Sequence, residues 1–285
     1  SPAVALFLGL AFAMTAGQPF PLFAKKTSKY LLQFSVVGLG FGMNLHESLQ
    51  TGKEGMVFTV ISVAAVLLLG MYLGKRLMMD RKTAYLISAG TAICGGSAIA
   101  AVAPVVKADD NEMSMALGTI FILNAVALFI FPPIGHLLGM TQEQFGMWAA
   151  IAIHDTSSVV GAGAAYGEKA LEIATMVKLT RALWIIPVTI VTMFLFKQKG
   201  AKISIPWFIF FFILAMIANT YLSIPEMVSG SLVWLAKKGL TVTLFLIGTG
   251  LSRRVIKNVG VRPMIQGVIL WIFIGLISLG VIMLM

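Results

Sequence analysis

Four short stretches of this chain carry side chains able to bind or move charge. The longest is Ala152-Ile-His154-Asp155-Thr156-Ser157-Ser158-Val-Val-Gly161-Ala-Gly163, with five consecutive polar side chains in apolar surroundings. A histidine such as His154 can carry or relay a proton, because its ring titrates near neutrality. Asp155 can take a proton or a cation, or pair with a base. The hydroxyls of Thr156, Ser157 and Ser158 can donate to an oxyanion. The other reading of this stretch is a satisfied structural network, or a loop at the membrane surface. Shortly downstream stand Lys178 and Arg181, three residues apart and so on one face of a helix. They can form an anion site or a counter-charge to Asp155, or pair with acids at the surface.

The third stretch is Thr91-Ala-Ile-Cys94-Gly95-Gly96-Ser97-Ala-Ile-Ala100. Gly95-Gly96 weakens a helix. A broken helix exposes backbone dipoles, and its second half can point an N-terminus at an anion. Thr91, Cys94, Gly95, Gly96 and Ser97 are the residues that would line such a site. Close helix packing through small residues explains the same composition. The fourth stretch is Lys107-Ala-Asp109-Asp110-Asn111-Glu112. Asp109 and Asp110 either help hold a hard cation or belong to a solvated turn that caps the next helix.

The elements that position these residues are apolar throughout. Hydrophobic residues make up 59% of 285, charged residues 11%, and the mean hydropathy is +0.95. A membrane-crossing helix needs about 20 apolar residues, and charge-free runs such as 83–106, 203–225 and 263–285 meet that length. Strand-like alternation is absent, which argues against a membrane β-barrel. The reading is an all-α polytopic membrane protein, a single transmembrane transporter domain over 1–285. Its ten segments are 3–20, 30–46, 55–75, 84–106, 113–134, 145–165, 171–196, 206–222, 232–251 and 264–284. Pro132-Pro133 is expected to end a helix. The chain opens at Ser1-Pro2 with no basic region before the apolar run, so a further upstream helix is expected.

The lone cysteine, Cys94, excludes an internal disulfide and a thiolate metal cluster within one chain. No dinucleotide, P-loop or H-E-x-x-H pattern occurs, so neither enzyme activity nor a cofactor is expected. The net charge of +10 does not point to nucleic acid, because the basic residues sit in short loops between apolar runs. Ten alternating spans put Lys25, Lys26, Lys29, Lys75, Arg76, Arg81, Lys82, Lys197, Lys199, Lys202, Arg253, Arg254, Lys257 and Arg262 on one side. Only Lys53, Lys107 and Lys169 fall on the other. By the positive-inside rule the basic side is cytoplasmic.

At these motifs the chain resembles the YeiH group of bacterial inner-membrane proteins, which are named as sulfate exporters. The likeness rests on Ala92-Ile-Cys94-Gly95-Gly96-Ser97-Ala98, Pro104-Val-Val-Lys107-Ala108, His154-Asp155 and Gly260-Val-Arg262-Pro263, and covers essentially the whole chain. Members have an additional N-terminal helix. More distantly, the chain is similar to sodium-coupled bile-acid-type transporters. Gly95-Gly96 with Asp109-Asp110 matches their first broken-helix region and 152–163 their second, although their Glu and Gln are missing. The resemblance implies a core of crossed broken helices built from an inverted repeat. It also implies secondary active transport of a small anion, sulfate or an organic sulfonate, coupled to a proton or sodium. An anion channel and a non-transporting structural or receptor protein are the alternatives. A homodimer is compatible with each of them.

Overall fold

The computed structural model of the chain describes residues 2–15, 17, 20–196, 207–222, 224–250 and 259–284. Among the described residues there is no strand. In lipid a helix satisfies its backbone N–H and C=O groups within its own segment. In chain order the helices are α1 (Pro2–Thr15), α2 (Pro21–Gly40), α3 (Leu45–Arg76), α4 (Arg81–Ala92), α5 (Gly96–Val106), α6 (Asp110–Leu137) and α7 (Gln142–Ala152). There follow α8 (Thr156–Tyr166), α9 (Glu168–Ala182), α10 (Ile185–Leu195), α11 (Trp207–Tyr221), α12 (Glu226–Gly250) and α13 (Val261–Met283). Five described stretches are long and apolar enough to cross a membrane: Phe58–Arg76 within α3, α6, Glu168–Leu195 formed by α9 and α10, α12 and α13.

The two runs interrupted by polar residues are not single straight helices. The sequence reading counts 84–106 and 145–165 as spans, but each is a helical hairpin. The legs α4 and α5 have 12 and 11 residues, about 17 Å each, near half the thickness of a hydrocarbon core. Their open ends meet where Lys82 Nζ donates to the Lys107 carbonyl at 2.9 Å. Farther in, Gly90 lies against Ile99. The pair α7–α8 is built the same way. Tyr166 Oη donates to the Met140 carbonyl at 2.6 Å, and the Phe145 and Tyr166 rings stack with centroids 3.8 Å apart. Gln142 Oε1 accepts from the backbone N–H of Lys169 at 3.0 Å and of Ala170 at 3.3 Å. Apolar length alone cannot separate one straight helix from two half-length antiparallel legs.

The hairpins enter from opposite ends. α6 carries the chain away from the open end of α4–α5, and α7–α8 opens at the far end. The continuous run α9–α10 then returns it. Tyr85 Oη lies 2.6 Å from Thr192 Oγ1, and the Arg81 guanidinium sits 4.9 Å over the Phe196 ring. Both contacts place the end of α10 beside the start of α4. Lys107 therefore stands with Lys82, not opposite it as ten alternating spans require. The second hairpin reverses the displacement, so the alternation is restored after residue 166. Arg262 Nη1 donates to the Met78 carbonyl at 3.2 Å, which brings the start of α13 to the same basic end. Lys197, Lys199, Lys202, Arg253, Arg254 and Lys257 lie outside the described residues.

Pro132 and Pro133 do not end α6, which continues to Leu137. Phe131, just before them, stacks on Trp148 at 4.3 Å and Trp271 at 5.9 Å. That packing holds the helix on its course despite the lost backbone donors. Around the hairpins, α7 and α8 pack on α9, α4 on α3 and α6, and α13 on α7 and α4. A second group forms where α12 lies against α1 and α2, and α2 against α11.

Candidate functional site

The two hairpin tips touch. The first tip is Ile93-Cys94-Gly95, where Gly95 has φ +66°. A residue with a side chain would be strained in that region by roughly 1–2 kcal/mol. A Cβ on Gly95 would also stand 3.2 Å from Ile120 Cγ2 and 3.3 Å from Asp155 Cα. The glycine thus serves both the turn and the approach of the other tip. The second tip turns without glycine. Ile153 and Asp155 are extended, and Asp155 is the N-cap of α8. Its Oδ2 accepts from the Ser157 backbone N–H at 3.0 Å and from the Ser157 hydroxyl.

Each tip presents carbonyls at the end of an incoming helix, where the dipole is negative, and amides at the start of an outgoing one. α9 answers the carbonyls. Lys178 and Arg181, both 0% exposed, stand near the middle of the Glu168–Leu195 run. Lys178 Nζ donates to Ile93 O at 3.2 Å in the first tip, and to Ala150 O at 3.3 Å and Ile153 O at 2.8 Å in the second. An ammonium has three donors, so all are engaged and none is left for an anion in this arrangement. Arg181 Nε donates to Ala92 O at 2.9 Å, and Nη1 to Ser62 Oγ of α3 at 3.2 Å. Its Nη2 has no partner among the described residues.

α6 answers the amides. Asn124 Oδ1 accepts from the backbone N–H groups of His154 and Asp155, both at 3.1 Å. Asn124 Nδ2 has no partner among the described residues. The sequence reading misses Asn124. Its only signal is that it is the one amide side chain within the α6 apolar run. Beside it lies a cavity of about 10 Å³, lined by Asn124, Asp155 and Ser158 together with apolar side chains of α1, α6 and α12. That is room for about one water.

Cys94, His154, Thr156, Ser157 and Ser158 are buried at or beside the tips, and Thr91 is buried one residue before Ala92. Thr91 Oγ1 and both His154 ring nitrogens have no partner among the described residues. Gly96 faces the Phe121 ring. Ser97 does not join this group. It is exposed, because α5 starts at Gly96 and turns that position outward. Asp109 and Asp110 are exposed as well. Asp109 caps α6, accepting from Glu112 N at 2.7 Å while its own N–H donates to Glu112 Oε2 at 2.7 Å. Of the two readings of that cluster, this geometry is the helix cap. Among the described residues no three His, Cys, Asp or Glu side chains are grouped to hold a metal ion.

Two half-length hairpins stapled tip to tip, with the polar groups remote from both ends, define a helical membrane protein with an internal polar centre. The family model described as "Conserved hypothetical protein 698" matches residues 1–267, and the chain belongs to this family of UPF0324 membrane proteins. It is 67% identical to a UPF0324 membrane protein of Bacteroides thetaiotaomicron, over 99% of this chain and 86% of that relative. It is 60% identical to one of Porphyromonas gingivalis, over 100% and 87%. The identity to one of Photobacterium profundum is 48%, over 100% and 87%. The assignment agrees with the YeiH-type resemblance carried by Cys94-Gly95-Gly96 and His154-Asp155. No solved structure matches the chain.

Proposed function

We propose that this protein is a secondary active transporter of a small anion, working by alternating access and coupled to a proton or cation at the meeting hairpin tips. The observation that supports this reading is a set of buried polar groups around that meeting point without partners among the described residues: Thr91 Oγ1, both His154 nitrogens, Arg181 Nη2 and Asn124 Nδ2. A buried group left without a hydrogen bond costs about 1–3 kcal/mol, and a solute that completes several of them is bound accordingly. Lys178 holds the tips, and Arg181 with its free Nη2 supplies the charge-assisted contact to an oxyanion. Asp155 takes the coupling ion.

A hairpin followed by a long helix occurs twice, α4–α5–α6 and α7–α8–α9–α10. The two copies enter from opposite ends, an arrangement that suits an inverted repeat and exchange of access. Sulfate or an organic sulfonate follows from the resemblance. The basic end faces the cytoplasm by the positive-inside rule, and the bacterial inner membrane follows from the resemblance. Single cysteines at Lys107 and Gln142 in a Cys94→Ala background then label from opposite faces, Lys107 from within.

The test is uptake into proteoliposomes of labelled sulfate, sulfite, taurine and chloride under imposed pH and sodium gradients. Saturable flux of one of them, lowered at least about tenfold in Arg181→Lys, is the expected result. That variant keeps the charge and loses the free donor. Unchanged flux in it removes Arg181 from the anion site. Non-saturating conductance favours the channel, and no flux of any of the four counts against the carrier.

A further inference from the structure

Lys26 and Lys29, near the start of α2, are exposed and stand level with the hairpin tips. The depth follows from the packing of α2 on α12, which run antiparallel. A Cβ on Gly42 would lie 2.7 Å from Val233 Cγ2, one on Gly38 would lie 2.9 Å from Ala236 Cβ, and one on Gly239 would meet Ser35 Oγ. Continued down the pair, that register sets Thr27 beside Ile247. Ile247 walls the cavity at Asp155. Farther up α12, Leu244 lies against Gly161, and Lys237 Nζ bonds Glu168 Oε1 at 2.7 Å by the open end of α7–α8. The start of α2 is therefore not at the level of Lys82 and Lys107. It lies farther in by roughly the length of one leg of α4–α5, about 17 Å.

The protein supplies these two lysines with no counter-charge. Within residues 1–46 and 207–250 the one acidic side chain is Glu226, at the opposite end of α12. Among the described residues neither lysine has an ion pair. A charged side chain at that depth on a lipid-facing helix is costly. Its four-carbon stem relieves the cost only where a polar partner comes within reach. From Lys26 an open groove of about 460 Å³ follows α2, lined by Phe23, Lys26, Thr27, Tyr30, Leu31 and Phe34. Its polar groups gather at one end, the Lys26 ammonium with the Thr27 and Tyr30 hydroxyls. Leu31 and Phe34 make the other end apolar. From Lys26 to Phe34 the helix rises about 12 Å, against about 15 Å for one leaflet's half of the hydrocarbon core.

The occupant that suits both ends is an anion joined to an apolar chain. A free inorganic anion would leave the apolar half of the groove uncovered. A second copy packed here about a two-fold axis would bring the same face, and so lysines against lysines. We infer that this groove binds an anionic phospholipid, with its phosphate held by Lys26 and Lys29 and one acyl chain laid along Leu31 and Phe34. Local thinning of the bilayer beside α2 brings the headgroup to that depth. Each lysine near an anionic headgroup adds to the attraction, and Tyr30 has the amphipathic ring that suits a headgroup boundary. The site is separate from the anion site of the transporter reading, because α12 packs on both α2 and α8 and so stands between them.

The experiment titrates the delipidated full chain in detergent with phosphatidylglycerol and with phosphatidylcholine of the same acyl chains, and counts one-to-one adducts by native mass spectrometry. Phosphatidylglycerol should bind at least about tenfold more tightly. The double variant Lys26→Gln with Lys29→Gln should bring it to the level of phosphatidylcholine. The corresponding double arginine variant should keep the preference. Phe34→Ala should weaken both lipids alike. All four substitutions fall on exposed positions of α2, so the variants keep the fold, and an unchanged Tm in detergent verifies it. Equal binding of the two lipids by the unaltered chain overturns the inference. So does a preference that survives the glutamine variant, which would place the lipid elsewhere. Excess inorganic phosphate that displaces phosphatidylglycerol as well as phosphatidylcholine fails to do so would assign the lysines to a free anion. A dimer lost in the glutamine variant, with the adducts unchanged, would assign this face to a second copy. Either result removes the lipid from the groove.

Discussion

The long helices α6 and α9–α10 meet the same two hairpin tips with opposite hydrogen-bonding character. α9 donates to tip carbonyls through Lys178 and Arg181, while α6 accepts tip N–H groups through Asn124. The difference follows from which ends of the half-helices each one faces, since carbonyls gather where a helix stops and amides where it starts. It also separates tasks. On the α9 side Lys178 is saturated and acts as a staple. On the α6 side the Asn124 amide keeps a donor with no partner among the described residues. A buried charge is therefore not by itself the functional one. The count of donors left over decides.

Breaking the staple is expected to have the largest effect. Lys178→Met leaves three tip carbonyls without a donor and should lower stability by at least about 3 kcal/mol, read as a drop in Tm of the detergent-purified protein. Lys178→Arg should recover part of it. Next, Asn124→Leu strands the His154 and Asp155 N–H groups, at a cost of about 2 kcal/mol. Gly95→Ala should cost about 1–2 kcal/mol through its positive φ, with more from the contacts at Ile120 and Asp155. It should leave the ion preference unchanged, because Gly95 brings no polar side chain to the cavity. Smallest is Asp109→Asn. Asp109 and Asp155 are both N-caps, one exposed and one at the cavity, and asparagine caps as well as aspartate. Asp109→Asn should leave Tm and transport as they are, whereas Asp155→Asn should retain Tm and lose coupled transport.

The sequence exposes the two places where the apolar pattern fails, because glycine pairs and consecutive polar side chains are costly in an apolar run. It does not expose the direction in which the chain leaves them. Residues 84–106 are long enough to cross when laid straight, and the reversal depends on Gly95 meeting Asp155, a partner 60 residues away. Lys178 and Arg181 are legible as buried cations on one face. That they answer backbone carbonyls rather than a carboxylate is invisible, since carbonyls have no letter. Asn124 is overlooked for the same reason: its partners are two backbone N–H groups of a distant turn. Ser97 looks equivalent to Thr91 until the restart of helical phase at Gly96 turns it outward. The even alternation of loops survives two wrongly counted spans only because the second hairpin cancels the first.

The contact between α1 and α12 sets one further property. A Cβ on Gly248 would lie 2.9 Å from Leu10 N and 3.1 Å from the Gly9 carbonyl carbon, and one on Gly9 would lie 3.0 Å from the Phe245 carbonyl carbon. The two backbones touch with no side chain between them. Leu6 and Ile247, which wall the cavity over Asp155, are anchored beside that contact. Rotamer flips of Leu6 and Ile247 on the picosecond-to-nanosecond scale shift the side chains of that wall, but they do not part the backbone seam behind it. It moves only when both helices swing as one lever, on the microsecond-to-millisecond scale of collective motions. Two glycines that bring no side chain to the cavity thereby fix the position of two of its walls, Leu6 and Ile247.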